Sequence, residues 1–443
     1  VTSALVRLRH HAGFALTFAW VAGARAAMLG CSMVASVLIY RHLAGASPAD
    51  GVDMGRAGLF AIGMASVRVL TASIGGAADL AVLRRVPVLR RTDPAGAFAV
   101  VRAAFALRAG AILLVAAVAL TARHWIAEHL LHDAGRAWLV GLVLAAAGAE
   151  LALRAVLAVF QASERFDRFV TFEALFQGTR LIAVLALIAA GWLDVSTVIG
   201  AYAALGIFCA VLAAGRLPRR EVLAAPLLSA PALRDTAHFF GWTLVALMLA
   251  SVNERMDLFL LTRFRGVEEV GLYGGILTIA LIPDFVGGLL ATVLQPRVVR
   301  LQQEGALGRF GWRILLVMLP PGLLALAIAA NFAGPIVGLV LGPRYAAGAP
   351  VFALLACGSL VWLMITPVPA ALISLSAPRL TTLLTVVQLA LVAGGGLLAI
   401  PTYGAVGAAA VVAGVRLTLA LLILVLGRRL MARPAAAAAA TTG

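Results

Sequence analysis

Twelve stretches of about twenty or more apolar residues follow one another along the 443-residue chain, and they rule out any soluble fold. They lie at roughly 12–40, 55–83, 94–122, 137–160, 169–190, 195–215, 238–262, 271–295, 311–330, 348–372, 380–400 and 404–427. A helix crosses the hydrocarbon of a bilayer with about 20 such residues. The chain is 63% hydrophobic and 12% charged, with a mean hydropathy of +1.04. A soluble domain carries about 25% charged residues, and single cores stop growing at roughly 250–300 residues. The fold class is all-α integral membrane, with about twelve transmembrane helices in two six-helix sets.

Arginine orients these helices. All 35 basic residues are arginine, and the formal net charge is +16. With the amino terminus in the cytoplasm, the inside segments hold 20 arginines, among them Arg84, Arg85, Arg90, Arg91, Arg219, Arg220 and Arg234. The outside segments hold seven: Arg41, Arg56, Arg123, Arg136, Arg263, Arg265 and Arg344. Positive charge favours the cytoplasmic side, so both termini are expected there, in the cytoplasmic (inner) membrane of a bacterium. The arginines ahead of the first apolar stretch, with no cleavage pattern after it, read as the start of a membrane helix rather than a signal peptide. No basic stripe interleaved with aromatics appears, which argues against nucleic acid as a partner.

The longest polar connection, 216–237, is too short to hold a catalytic domain. It divides the chain into an amino-terminal lobe, 1–215, and a carboxy-terminal lobe, 238–427, followed by a tail, 428–443, whose alanine run is expected to be cytoplasmic and disordered. Gly58-Leu59-Phe60 is echoed by Gly271-Leu272-Tyr273, and Gly191-Trp192 takes the place of Tyr403-Gly404, both at an offset near 213 residues. Six helices per copy leave both copies in the same orientation, which describes a parallel repeat about an axis along the membrane normal. Cys31, Cys209 and Cys357 are too dispersed for a metal site or a disulfide framework.

The chemistry lies in charges inside the spans: Arg25, Arg68, Arg102, Arg108, Arg154, Arg180, Arg255 and Arg416. At about 2.5–3.5 kcal/mol each on insertion scales, eight left to lipid would cost on the order of 20–28 kcal/mol. Glu150 and Arg154 are four apart on one helix and can pair, and Glu173 can pair with Arg180. Arg102 can reach the inner interface. Arg25 and Arg68 have no acid on their own helices and are candidates to line a cavity, with Arg108 beside them. In the second half, Asn253, Glu254, Arg255 and Asp257 form a polar cluster, with Asn253 and Asp257 on one face and Arg255 turned away. Asp284 follows Pro283, and proline frees backbone carbonyls. Asp284, Asp257 and Glu254 are therefore candidates for coupling to H+ or Na+, or else for salt bridges between helices. His124, Glu128 and His132 fall four residues apart, but the surrounding Trp125, Ile126, Leu130 and Leu131 describe an interfacial helix rather than a zinc site. No metal and no cofactor is expected, and no nucleophile or phosphate-loop motif is present.

The stretch Asp257-Leu258-Phe259-Leu260, Gly266, Val270-Gly271-Leu272-Tyr273 and Leu294-Gln295-Pro296 resembles the seventh and eighth helices of oligosaccharidyl-lipid flippases, which share a superfamily with MATE-type multidrug exporters. Similar too are Gln161-Ala162-Ser163-Glu164-Arg165-Phe166, Leu341-Gly342 with Tyr345 and Ala349-Pro350, and the run Ile400 to Ala409. The resemblance implies a V-shaped, MATE-like bundle rocking about a central cavity lined by helices one, two, seven and eight, which carry Arg25, Arg68, Arg255 and Asp284. It implies alternating access and a lipid-linked anionic glycan, an undecaprenyl-pyrophosphate oligosaccharide, as cargo for surface polysaccharide biosynthesis. Membrane lipids and other glycan-assembly membrane proteins would be the partners. Relatives that flip the peptidoglycan precursor usually have fourteen helices, which disfavours that substrate. Two other functions compete: an ion-coupled drug or metabolite exporter, which calls for an acidic, aromatic cavity, and a glycan polymerase or ligase, which calls for a long outside loop.

Overall fold

A computed structural model describes residues 2–45, 54–217, 230–291, 307–366 and 378–440. Among these residues the chain is helical throughout and has no strand. The helices are α1 (Thr2–Leu43), α2 (Gly55–Leu70), α3 (Gly76–Thr92), α4 (Pro94–Thr121), α5 (Arg123–Leu131), α6 (Trp138–Ala162), α7 (Phe166–Ala189) and α8 (Val195–Ala214). There follow α9 (Ala230–Asn253), α10 (Met256–Arg265), α11 (Val267–Ala280), α12 (Leu307–Asn331), α13 (Ala333–Val340), α14 (Ala349–Ile365) and α15 (Pro378–Ala440). Eleven segments of these helices are long and apolar enough to cross a membrane. One of them, Leu383–Val425, has 43 residues. At 1.5 Å per residue that is about twice the hydrocarbon thickness, and its backbone leaves helical geometry at Gly404 (φ 56°, ψ −135°). The segment therefore supplies two arms, which makes twelve candidate crossings among the described residues.

The chain forms two compact units: residues 1–43 with 62–255, and residues 44–61 with 256–443. These bounds differ from the expected lobes. The helix α9 lies in the first unit, the start of α2 lies in the second, and the chain passes between units at the break after Arg255 instead of within 216–237. Residues 218–229 of that connection lie outside the described residues. The expected disordered tail is also revised, because the backbone of α15 remains helical to Ala440. Alanine has the highest helix propensity of any residue, so a run of it extends a helix already nucleated.

In the first unit, small residues bring helices together, as is usual where lipid offers no hydrophobic drive between them. Ala77, Ala78, Val82 and Val86 of α3 pack on Ala97, Val100, Val101 and Ala104 of α4, with Leu151 and Val159 of α6 closing the cluster. Gly206 of α8 lies so close to α6 that an added Cβ would stand 3.0 Å from Ala149 Cβ. The spans of α2 and α3 are one continuous helix containing a π turn, Thr71–Gly75, so Asp79 shares a helix with Arg68, against the expectation that Arg68 has no acid on its own.

In the second unit, α2 and α11 meet backbone to backbone. A Cβ on Gly58 would stand 1.8 Å from the Val267 carbonyl oxygen, and one on Gly271 would stand 2.2 Å from that of Met54. The contact is reciprocal: 54 with 271, and 58 with 267. Each position is 213 residues from its counterpart, the offset read from the sequence echoes. The turns at Gly191 (φ 70°) and Gly404 (φ 56°) are separated by the same 213 residues, and both adopt the left-handed backbone.

The Gly404 bend is held from a neighbouring helix. Glu269 of α11 accepts a hydrogen bond from the Ala405 amide at 2.9 Å, and Arg265 of α10 donates to the Thr402 carbonyl at 2.8 Å. A carboxylate thus meets the positive start of one arm, and a guanidinium meets the negative end of the other. Substituting Gly404→Ala forces a Cβ to within 2.2 Å of Glu269 Oε2 and strains the backbone, a loss of about 1–3 kcal/mol. Gly271→Leu, at the backbone contact, abolishes the folded peak in detergent size-exclusion chromatography. Gly200→Ala, which meets nothing within 4 Å, leaves the elution profile and melting midpoint unchanged.

Candidate functional site: a broken helix among intramembrane arginines

Four of the eight arginines inside the spans are held by neighbouring groups. Arg108 of α4, expected to line a cavity, is instead 5% exposed and clamps three helices. Its guanidinium donates to the Leu151 carbonyl of α6 at 3.1 Å, to the Gly75 carbonyl of the π turn at 2.9 Å, and to the carboxylate of Asp79 on α3. Arg154 pairs with Glu150 at 2.9 Å, as the four-residue spacing anticipates. Glu173 and Arg180 do not pair directly, because Gln177 stands between them, donating to Glu173 at 3.4 Å and accepting from Arg180 at 3.5 Å. Arg180 also lies over the Tyr202 ring, 3.9 Å from its centroid, a favourable place for a cation away from water.

The candidate coupling carboxylates are committed as well. Asp284 forms a two-pronged pair with Arg416 of α15, at 3.0 and 2.8 Å, and Arg416 donates to the Ser359 hydroxyl of α14 at 2.6 Å. Asp257 is buried; Tyr273 donates to it at 2.5 Å, and it accepts from the Leu258 amide at 2.9 Å. In this structure Asp284 forms an interhelical salt bridge, and Asp257 is hydrogen-bonded within the first turn of α10. His132 ends α5 in a left-handed conformation (φ 55°) and so leaves the helical face of His124 and Glu128.

The seventh span is not one helix. It stops at Asn253 and resumes at Met256, with Glu254 and Arg255 in a turn between. No proline or glycine marks the break; the only signal in the sequence is the polar run itself. Among the described residues, four buried side-chain polar atoms have no hydrogen-bond partner, and two of them, Asn253 Oδ1 and Arg255 Nε, flank this turn. A buried polar atom left unsatisfied costs about 1–3 kcal/mol. Arg68, exposed at the end of α2 just before the π turn, feels chiefly the cations Arg154 and Arg255 and the acids Glu254 and Glu150. Arg68 therefore lies within electrostatic range of Glu254 and Arg255. Arg25 on α1 is exposed and is not among the principal charges acting on Arg68.

The committed pairs behave as structural elements. Removing one partner strands the other, at a cost between the roughly 1 kcal/mol of an exposed pair and the ~3–5 kcal/mol of a buried one. Asp284→Asn and Arg416→Gln each lower the melting midpoint in detergent, and the double variant regains most of the loss. A double variant as unstable as the sum of the singles would deny the coupling between them.

No family model matches the chain, and no curated protein matches it. Solved structures do. Lipid II flippase MurJ in an inward closed conformation superposes with a TM-score of 0.72 at 12% identity, over 92% of this chain and 87% of that one. An inward-facing multidrug resistance MATE family transporter of the MOP superfamily gives 0.66 at 14% identity, over 91% and 95%. A MOP superfamily transporter from Pyrococcus furiosus, whose binding pocket is described as having reverse polarity that suggests a different function, gives 0.59 at 14% identity, over 93% and 96%. The chain has the fold of the MurJ and MATE transporters.

Proposed function

We propose that the protein is a flippase that carries an undecaprenyl-pyrophosphate-linked oligosaccharide from the inner to the outer leaflet by alternating access, for surface polysaccharide biosynthesis. The observation that carries this reading is a guanidinium at the break in the seventh span whose Nε is buried without a partner, with a second guanidinium in its vicinity. Arg255 has a buried Nε without a partner, and Arg68 is exposed within its electrostatic reach. Retaining such groups inside a membrane is costly, and an anionic cargo that arrives with its own acceptors offsets that cost. A pyrophosphate accepts two parallel bonds from each guanidinium fork. The fold supports a transporter: the MurJ structure is that of a lipid II flippase, and the MATE structures include inward-facing and outward-facing conformations.

A MATE-type exporter is the second reading, favoured by the carboxylates of the carboxy-terminal half. Asp257 and Asp284 are held by Tyr273 and Arg416, which weighs against their exchanging a cation. Glu254, exposed at the break and acting on Arg68, is the carboxylate best placed to exchange H+ or Na+ as cargo enters. The excess of arginine on alternate connections supports a cytoplasmic-membrane protein with both termini inside.

Export of surface glycan in a strain lacking the native gene tests the cargo. Arg68→Ala and Arg255→Ala each reduce export roughly thirtyfold or more at normal protein level, as expected for loss of a desolvated charge contact. The Lys variants, which keep the charge but lose the fork, retain an intermediate rate. Normal export by both Ala variants would remove the anionic-cargo reading. Arg25→Ala measures whether α1 contributes a third contact.

A further inference from the structure

A second cationic site lies in the first unit, at the opposite end of α9 from the break in the seventh span. The arginine-rich end of α3 and the start of α9 flank an open groove of about 900 Å³. On α9, Arg234, His238, Trp242 and Ala246 recur every four residues and line it from one face. They descend about 18 Å along the helix from guanidinium to imidazole to indole to methyl. On α3, Arg84 lies one turn beyond Leu80, so the same gradient runs along the opposite wall.

The cations at the mouth are only partly used. Arg85 pairs with Asp235 at 3.4 Å, and both side chains are largely open to solvent. Arg84 lies over the Phe239 ring, 5.1 Å from its centroid, which leaves its donors free for an anion in the plane of the guanidinium. Arg234 is exposed. Three arginines against one aspartate leave the mouth at +2, apart from His238. Deeper in, Trp242 is 72% exposed and Leu80 44%, an apolar floor without a covering side chain.

We propose that this groove binds an anionic diacyl phospholipid. The phosphate sits between Arg84 and Arg234, and one acyl chain lies along Trp242 and Ala246. A soluble anion would use the cationic mouth and leave the apolar floor uncovered. A zwitterionic phospholipid would cover the floor and bring no net charge to the mouth. Basic pockets between helices at the membrane surface favour anionic headgroups for the same reason. The site is independent of the proposed transport of a lipid-linked glycan.

Native mass spectrometry of the detergent-purified protein, titrated with phosphatidylglycerol or phosphatidylcholine, tests it. The wild type is expected to retain phosphatidylglycerol preferentially. Arg84→Gln/Arg234→Gln is expected to lose roughly thirtyfold of that preference, the weight of two basic groups beside an anionic headgroup. Arg123→Gln/Arg263→Gln, which removes the same charge from the opposite ends of the spans, keeps the preference, and so does the export-defective Arg68→Ala/Arg255→Ala protein. An unchanged preference in Arg84→Gln/Arg234→Gln, or an equal loss in Arg123→Gln/Arg263→Gln, overturns the site. Displacement of the lipid from wild type by inorganic phosphate or ATP overturns it in favour of a soluble anion. Should Arg84→Gln/Arg234→Gln fail to accumulate, phosphatidylglycerol carrying a photoreactive acyl chain decides on the wild type. Labelling within 242–247 supports the groove, and labelling confined to other helices overturns it.

Discussion

A guanidinium inside hydrocarbon must find acceptors, and much of this architecture answers that demand. Arg108 shows how strong the constraint is. To satisfy it, the protein brings a carboxylate from α3, a carbonyl from α6 and a carbonyl from the π turn to one point. The three contacts fix α4 against its neighbours, so a residue costly to bury becomes the clamp of the first unit. Arg416 does the same in the second unit, tying α15 to Asp284 and to Ser359 of α14. Breaking either pair strands a charge that is mostly buried, which is costly.

Against that background, the turn at Glu254–Arg255 is an exception. Arg108 keeps one unpartnered nitrogen, Nε, but its two terminal nitrogens are held, whereas at this turn Arg255 Nε and the side-chain oxygen of Asn253 lie unpartnered within three residues of each other. The helix is also interrupted there without the proline or glycine that usually forces a break. Transporter sites are commonly built from such discontinuous helices, whose released backbone is tolerated only where it borders a cavity or is buried in protein.

What the sequence made legible follows from how local each signal is. The spans and the Arg154–Glu150 pair depend on residues within one helix, and both could be read in advance. The 213-residue offset was legible from two short echoes because the glycines at its marks serve a steric purpose: Gly58 and Gly271 where backbones touch, and Gly191 and Gly404 where φ is positive. Arg108–Asp79 and Arg416–Asp284 join residues 29 and 132 apart, and nothing in a helical repeat announces such partners. The break at residue 254 escaped for another reason: a polar triplet on a continuous helix and a polar triplet in a turn have the same sequence. The alanine tail was misread by composition, since low complexity describes a strong helix former as readily as a disordered one.

The contact between Gly58 and Gly271 has the logic of an isologous interface, in which residue i meets residue j while j meets i. Two separate subunits related by a two-fold axis make such contacts. An even number of spans per subunit lets both insert the same way up, with no change of topology when they are fused. In a fused chain the two sides are encoded separately. One copy can then drift toward arginine and the other toward Asp284-centred pairing without either having to suit its own mirror, a freedom that a homodimer of six-helix chains does not have.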